Sequence, residues 1–239
     1  MTGLIHLHPV NLRRLLIGVV TGVSAITLAM TCTGNALGDA TATPDSVNEA
    51  SIVEFIQTGF QHGVPYDRAH ALGAKALPIL VRLLRDNAFL ESRSGIVTTI
   101  AFIGTPACVE PLRQFLWDQY EGEVGTDTFQ ALLVTPSVMG TIQSDEAVSQ
   151  LVSLADPKNW EGIRWRYGSY HGYALYLQLS KAAINGLGYS ESPRAGDALA
   201  QLKEKPFAVD QVSNIEQGVK NHAEVRSKGF AGFISTRNR

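Results

Sequence analysis

"IAFIGTPACVEPLRQFLWD", Ile100–Asp118, is the stretch whose reading decides the fold. Its first apolar run, with Ile96 upstream and Ile100 and Ile103 within it, ends at Gly104. Glycine most readily takes the left-handed backbone that terminates a helix. Thr105 suits an N-cap, and Pro106 suits the first helical position, where its missing N–H costs nothing. Val109, Leu112, Phe115 and Leu116 then recur at helical spacing and mark the face of a second helix. Cys108 sits among these apolar residues and reads as a buried small hydrophobe rather than a reactive thiol. The stretch therefore predicts two antiparallel helices joined by a tight turn.

Three more junctions follow the same plan: "ALGAKALPILVRLLRD" from Ala71, "SVMGTIQSDEAVSQLVSLAD" from Ser137 and "NGLGYSESPRAGDALAQLKE" from Asn185. Each has an apolar residue and a glycine (Leu72-Gly73, Met139-Gly140, Leu187-Gly188), then a short segment and an amphipathic helix. Each glycine is expected to supply the left-handed turn. Ser144 is the expected N-cap of the third unit, and Ser192-Pro193 repeats the Thr-Pro logic in the fourth. The stripes of the second helices are Leu77, Leu80, Val81 and Leu84; then Val148, Leu151 and Leu154; then Ala195, Ala198, Leu199 and Leu202. Those of the preceding helices are Phe129, Leu132 and Leu133, and Tyr176, Leu179, Ala183 and Leu187. No run alternates as a strand would.

These residues resemble a HEAT repeat, in the short variant shared with phycobilisome-lyase-type HEAT-like repeats: a helix ending in apolar-Gly, a short turn, then a helix patterned like Val109–Asp118. The resemblance covers about 66–204. It implies an all-α fold, a right-handed α-solenoid of four to five HEAT-like helical hairpins with a C-terminal capping helix, and it carries no catalytic residue. Only the second unit has the Gly-Thr-Pro turn intact, and Pro136 falls inside a helix, which implies a kink.

The glycine spacing locates an insertion. Gly73 to Gly104 is 31 residues, Gly104 to Gly140 is 36, and Gly140 to Gly188 is 48. Helix-pair stacks repeat roughly every 30 to 45 residues, so the last interval is too long by about 12. The surplus falls at about 157–170, within "WEGIRWRYGSYHGYALY", Trp160–Tyr176. Trp160, Arg164, Trp165, Arg166, Tyr167, Tyr170 and His171 are the candidate binding residues, because Trp, Tyr and Arg are enriched in binding hot spots. Two readings stand: the rings pack over an irregular join, or some of them bind a partner. Tyr173–Tyr176 reads as core of the next helix. A shorter acidic loop, Asp118–Thr126, joins the second unit to the third and should lie on the same edge as the insertion.

The chain ends differ from this middle. Met1–Gly38 holds Arg13 and Arg14, no acidic residue, and the apolar run Leu15–Met30. That is a secretory leader. Ala36-Leu37-Gly38 or Ala40-Thr41-Ala42 offers the cleavage site. At 16 residues the run is short of the roughly 20 that span a bilayer. An uncleaved anchor and a lipoprotein at Cys32 are the lesser alternatives. Residues 39–45 read as a flexible mature N-terminus. Ser46 caps the first helix as part of a capping box with Glu49, and the repeat region runs 46–204. Beyond it, in 205–239, Asp210 is placed to cap a last helix to about Arg226, with Val212, Ile215 and Val219 on one side. "KGFAGFISTRNR", Lys228–Arg239, either docks back or is disordered.

Composition narrows the function. Apolar residues make up 45% and charged residues 18%, enough for a sizeable core. Removing 1–38 takes two of the 20 Lys+Arg, leaving 18 against 22 Asp+Glu, a formal charge of −4. That is no footprint for nucleic acid. Only Cys108 then remains, so no internal disulfide forms. His62, His70, His171 and His222 are not in ligand spacing, and no HExxH, CxxC, Gly-x-Ser-x-Gly or Walker lysine occurs. Asp67, Glu110, Asp118 and Glu146 read as solvated carboxylates. The expectation is a non-enzymatic exported protein, periplasmic or extracellular, without metal, cofactor or stable membrane span after cleavage. It would bind a protein or peptide partner, with Arg82, Arg85, Arg113 and Gln114 on the second helices and the insertion as contact surfaces. The alternatives are a tetrapyrrole- or bilin-handling lyase-like protein and a structural subunit of an envelope complex.

Overall fold

The computed structural model describes residues 48–237 except 59, 61, 62 and 119. Residues 1–38, expected as a leader, the polar stretch 39–45 and Ser46 lie outside the described residues. The chain is all-α in class: α1 (Glu49–Gln57), α2 (Tyr66–Leu72), α3 (Leu77–Arg85), α4 (Arg93–Ile103), α5 (Val109–Trp117), α6 (Thr126–Met139), α7 (Asp145–Leu154), α8 (Gly172–Tyr189), α9 (Pro193–Leu202) and α10 (Val212–Arg237). One two-residue parallel pair, β1 (Gly122–Glu123) and β2 (Trp165–Arg166), joins two loops.

Contacts run helix to next-but-one helix. α2 packs on α4, α4 on α6, α6 on α8, and α8 on α10, while α5, α7 and α9 each pack against the helix before and after in this series and α3 packs against α4 and α1. The stripes explain the burial. Val109, Leu112, Phe115 and Leu116 are all inside, as are Val148, Leu151 and Leu154, and Ala195, Ala198, Leu199 and Leu202. In α3 the buried set is Leu80, Leu83 and Leu84, with Leu77 and Val81 only half-buried.

The four glycines divide into two roles. Gly104 (φ 77°, ψ 1°) ends α4 in the left-handed turn as expected, whereas Gly73 (φ 64°, ψ −179°) ends α2 with a positive φ but an extended ψ, which also only glycine adopts cheaply. Gly140 is right-handed (φ −62°), and Gly188 lies inside α8. Their glycine is required by close approach instead. A Cβ on Gly140 would strike the Gly186 carbonyl oxygen, and one on Gly186 would strike that of Pro136. On Gly188 it would lie 3.0 Å from the Gly218 carbonyl oxygen. These positions let α6, α8 and α10 pack backbone to backbone. α6 continues through Pro136 from Thr126 to Met139.

Other local expectations shift. The N-cap of α1 is Asn48, whose side chain accepts from the Ser51 N–H. Ser144 caps α7 by accepting from the Ala147 N–H, as its position predicts. Thr105 and Ser192 occupy N-cap positions without a side-chain cap bond. The last helix opens at Val212, and the Asp210 carboxylate accepts from the Tyr173 hydroxyl instead of capping. α10 buries Ile215, Asn221 and Val225, leaving Val212 and Val219 outside. At Gly229 (φ 70°, ψ 161°) it breaks, and the segment beyond docks back. Phe230 and Phe233 are buried, with Phe230 meeting the rings of Tyr66, Phe102 and Tyr189.

Candidate functional site

The insertion and the acidic loop are one structure. The Gly122 and Val124 N–H groups donate to the Arg164 and Arg166 carbonyls at 3.2 and 2.9 Å. Arg164 pairs with Glu121 at 3.0 Å and Arg166 with Glu123 at 3.5 Å. Glu123 also accepts from the Gly168 N–H, and the Thr126 and Tyr167 hydroxyls bond at 3.2 Å. Exposed ion pairs contribute little each. Here they flank a backbone ladder, so their effect is to fix the register of the two loops.

The rings mostly pack. Trp160 is fully buried, and its indole N–H donates to the Leu154 carbonyl at 2.7 Å. Trp165 is 4% exposed and meets Phe129 edge-on. Tyr167 stacks on Phe129 at 4.1 Å between centroids, and Tyr170 stacks there at 5.8 Å. Arg164, Arg166 and His171 are exposed. Trp160 and Trp165 are thus inside, while Tyr167 and Tyr170 are half-buried. Tyr173, expected in the core, is 52% exposed.

Trp117 is the residue that sequence reasoning missed. It is the last residue of α5, one past the apolar stripe, and it stacks on Trp160 at 5.2 Å while remaining 38% exposed. Beside it opens a cleft of about 130 Å³ lined by Trp117, Asp118, Tyr120, Glu121, Arg164 and Trp165 among others. Cofactor and drug-sized pockets run to about 300–1,000 Å³, so this cleft suits a side chain. Asp118 is half-buried, and burial raises its carboxyl pKa against the opposing pull of Arg85 and Arg93. Burial likewise raises the Tyr120 hydroxyl. Arg93 is buried; it donates to Thr128 and Asn87, while its Nε has no hydrogen-bond partner among the described residues.

Neighbouring connections touch in series along one edge. Arg93 ties Asn87 to Thr128. The acidic loop pairs with the insertion, and Tyr173 reaches Asp210 at 2.9 Å. Leu90, Trp117, Tyr173, Val209 and Val212 are exposed large apolar side chains, and all lie in or beside these connections. Val152 and Val219 are exposed elsewhere.

The second-helix candidates hold one another. Arg82 pairs with Glu49, Arg85 donates to Gln114, and Arg113 forks onto Glu110 with two bonds of 2.7 Å. Those bonds, with one from Gln114, hold the Glu110 carboxyl down to about 2. Between α7 and α9 lies an open groove of about 390 Å³ lined by Val148, Val152, Arg194 and Asp197. Among the described residues no group of three His, Cys, Asp or Glu is placed to hold a metal ion, and no helix is long and apolar enough to cross a membrane. Compared with known proteins, the chain matches no family model, no curated protein and no solved structure.

Proposed function

We propose that this chain is a non-enzymatic, exported scaffold protein, a right-handed α-solenoid of HEAT-like hairpins that binds a protein or peptide partner along the edge formed by the connections between hairpins. The helix-to-next-but-one contacts and the Gly104 turn support the solenoid. The basic, then apolar, N-terminal sequence supports export.

The observation that carries the binding reading is the edge itself. Exposed apolar side chains from Leu90 to Val212 lie in or beside the connections, one pair of which is held together by ladder bonds and ion pairs. A surface already fixed in shape spends little ordering entropy on association. Single exposed apolar residues need no explanation, but their concentration at the connections favours recognition over chance. The insertion contributes mainly as a buttress: Trp160 supports Trp117.

The test is affinity capture from the cell envelope with the mature chain and with a variant carrying Trp117→Ser, Tyr173→Ser and Val209→Ser. The expected result is a partner retained by the first and lost by the second, with both folded by circular dichroism. Equal recovery would remove the edge from the reading. N-terminal sequencing of the protein from its native host, beginning after Gly38 or Ala42, checks export.

A further inference from the structure

We infer that the cleft beside Trp117 receives one cationic side chain, an arginine or a lysine, from the bound partner. The inference rests on the edge being the binding surface and names what that surface reads.

Three features converge. The first is size: about 130 Å³ is the room of one long side-chain head, a few waters' worth at ~30 Å³ each. The second is the lining. Trp117, Tyr120 and Trp165 supply aromatic surface, and Asp118 and Glu121 supply carboxylates. A guanidinium or ammonium is the group that both surfaces favour at once. The third is the state of Asp118. Among the described residues no cation lies within ion-pair distance of it. Arg85 and Arg93 pull on it from farther off but are engaged with Gln114 and with Thr128 and Asn87. Burial outweighs that pull, so an entering cation would relieve an undercompensated carboxylate. Arg164 also lines the cleft and is held by Glu121 at 3.0 Å, which leaves Asp118 as the carboxylate without an ion pair among the described residues.

The test titrates the mature protein with three capped tripeptides, glycine–X–glycine, in which X is arginine, lysine or citrulline, the neutral isostere of arginine. The three indole N–H signals report by nitrogen-15 NMR. Saturable movement of the Trp117 signal is expected with the two cations and not with citrulline. Asp118→Asn should weaken the cationic peptides about tenfold or more. Circular dichroism certifies that the variant is folded, and Asp118→Ser supplies the same comparison if it is not. Equal binding of citrulline, no saturation by either cation, or an unaffected Asp118→Asn overturns the inference. Partner capture that survives while the cations fail removes the cleft and leaves the edge. Cation binding without partner capture removes the edge instead.

Discussion

At the residue scale, the same amino acid serves different physical needs, and substitutions separate them. Gly140 is demanded by the Gly186 backbone, which cannot swing aside as a flexible side chain would. Gly140→Ala should cost about 3 kcal/mol, the upper end for overpacking. Gly162→Ala, with nothing within 4 Å of the added Cβ, should be neutral or slightly stabilising. Urea unfolding of the pair checks the contrast. His222 gives a second test. Its Nδ1–H donates to the Ser190 carbonyl, 2.8 Å away, and its other nitrogen lies against Gly196. Burial lowers its pKa below the ordinary 6.5, with Arg226 adding and the Ser190 bond and Asp197 opposing. A depressed folded-state value means that the unfolded chain binds the proton first as pH falls. The stabilisation from neutral His222 is therefore complete above pH 6.5 and is lost as pH falls through the folded value. The difference in urea midpoint between wild type and His222→Gln should shrink over that window. A difference constant with pH would show that the ring titrates freely. Cys108 follows the same logic: burial raises its thiol, and Thr105 is its nearest hydroxyl at 3.3 Å. Native protein should react with a disulfide reagent only as fast as it opens.

At the scale of elements, the weld between the loops is stronger as backbone than as charge. Glu123→Ala removes the Arg166 pair and the acceptor of the Gly168 N–H, all at the surface. The melting temperature should scarcely move, because exposed pairs are worth about 1 kcal/mol at most. Amide exchange across Arg166–Tyr170 should nevertheless quicken, and mass spectrometry of that peptide reads it directly. This is also the scale at which the sequence was most and least legible. Helical spacing located the buried faces of α5, α7 and α9, because it is a local pattern. Close approach at Gly140 and Gly188 was not legible, since a left-handed turn and a tight helix crossing select the same residue. Trp117 was missed because its partner, Trp160, is distant in sequence and no local period connects them. The exposed flank of α10 was misjudged for a related reason. Val212 and Val219 look like a stripe, but Gly218 and Asn221 are the residues that meet α8, where small size matters more than hydropathy.

At the scale of the whole molecule, the C-terminal segment changes how the chain should unfold. In a linear stack of helix pairs, stability is nearly a sum of neighbour terms, and an end can fray without the rest. Phe230 breaks that independence. Its ring lies 5.5 Å from Tyr66 on α2, 5.8 Å from Phe102 on α4 and 6.0 Å from Tyr189 on α8. The Glu191 carboxylate fixes the turn by accepting the Phe230 N–H at 2.9 Å, just after Gly229 redirects the chain. A short helix such as α2, of seven residues, cannot be stable through its own hydrogen bonds. It is held by α4 and by this returning segment. Phe230→Ala should therefore cost about 3–5 kcal/mol, with an uneven effect. Amides of α1 to α3 should lose protection first, while α6 and α8 keep theirs through the glycine contacts. Wild type should unfold in one transition and the variant in two, seen by hydrogen exchange along a urea series. Uniform loss of protection across all helices would mean that the segment only adds burial. Early loss confined to α1–α3 would mean that it ties the last helix of the chain to α2, near the other end of the described residues.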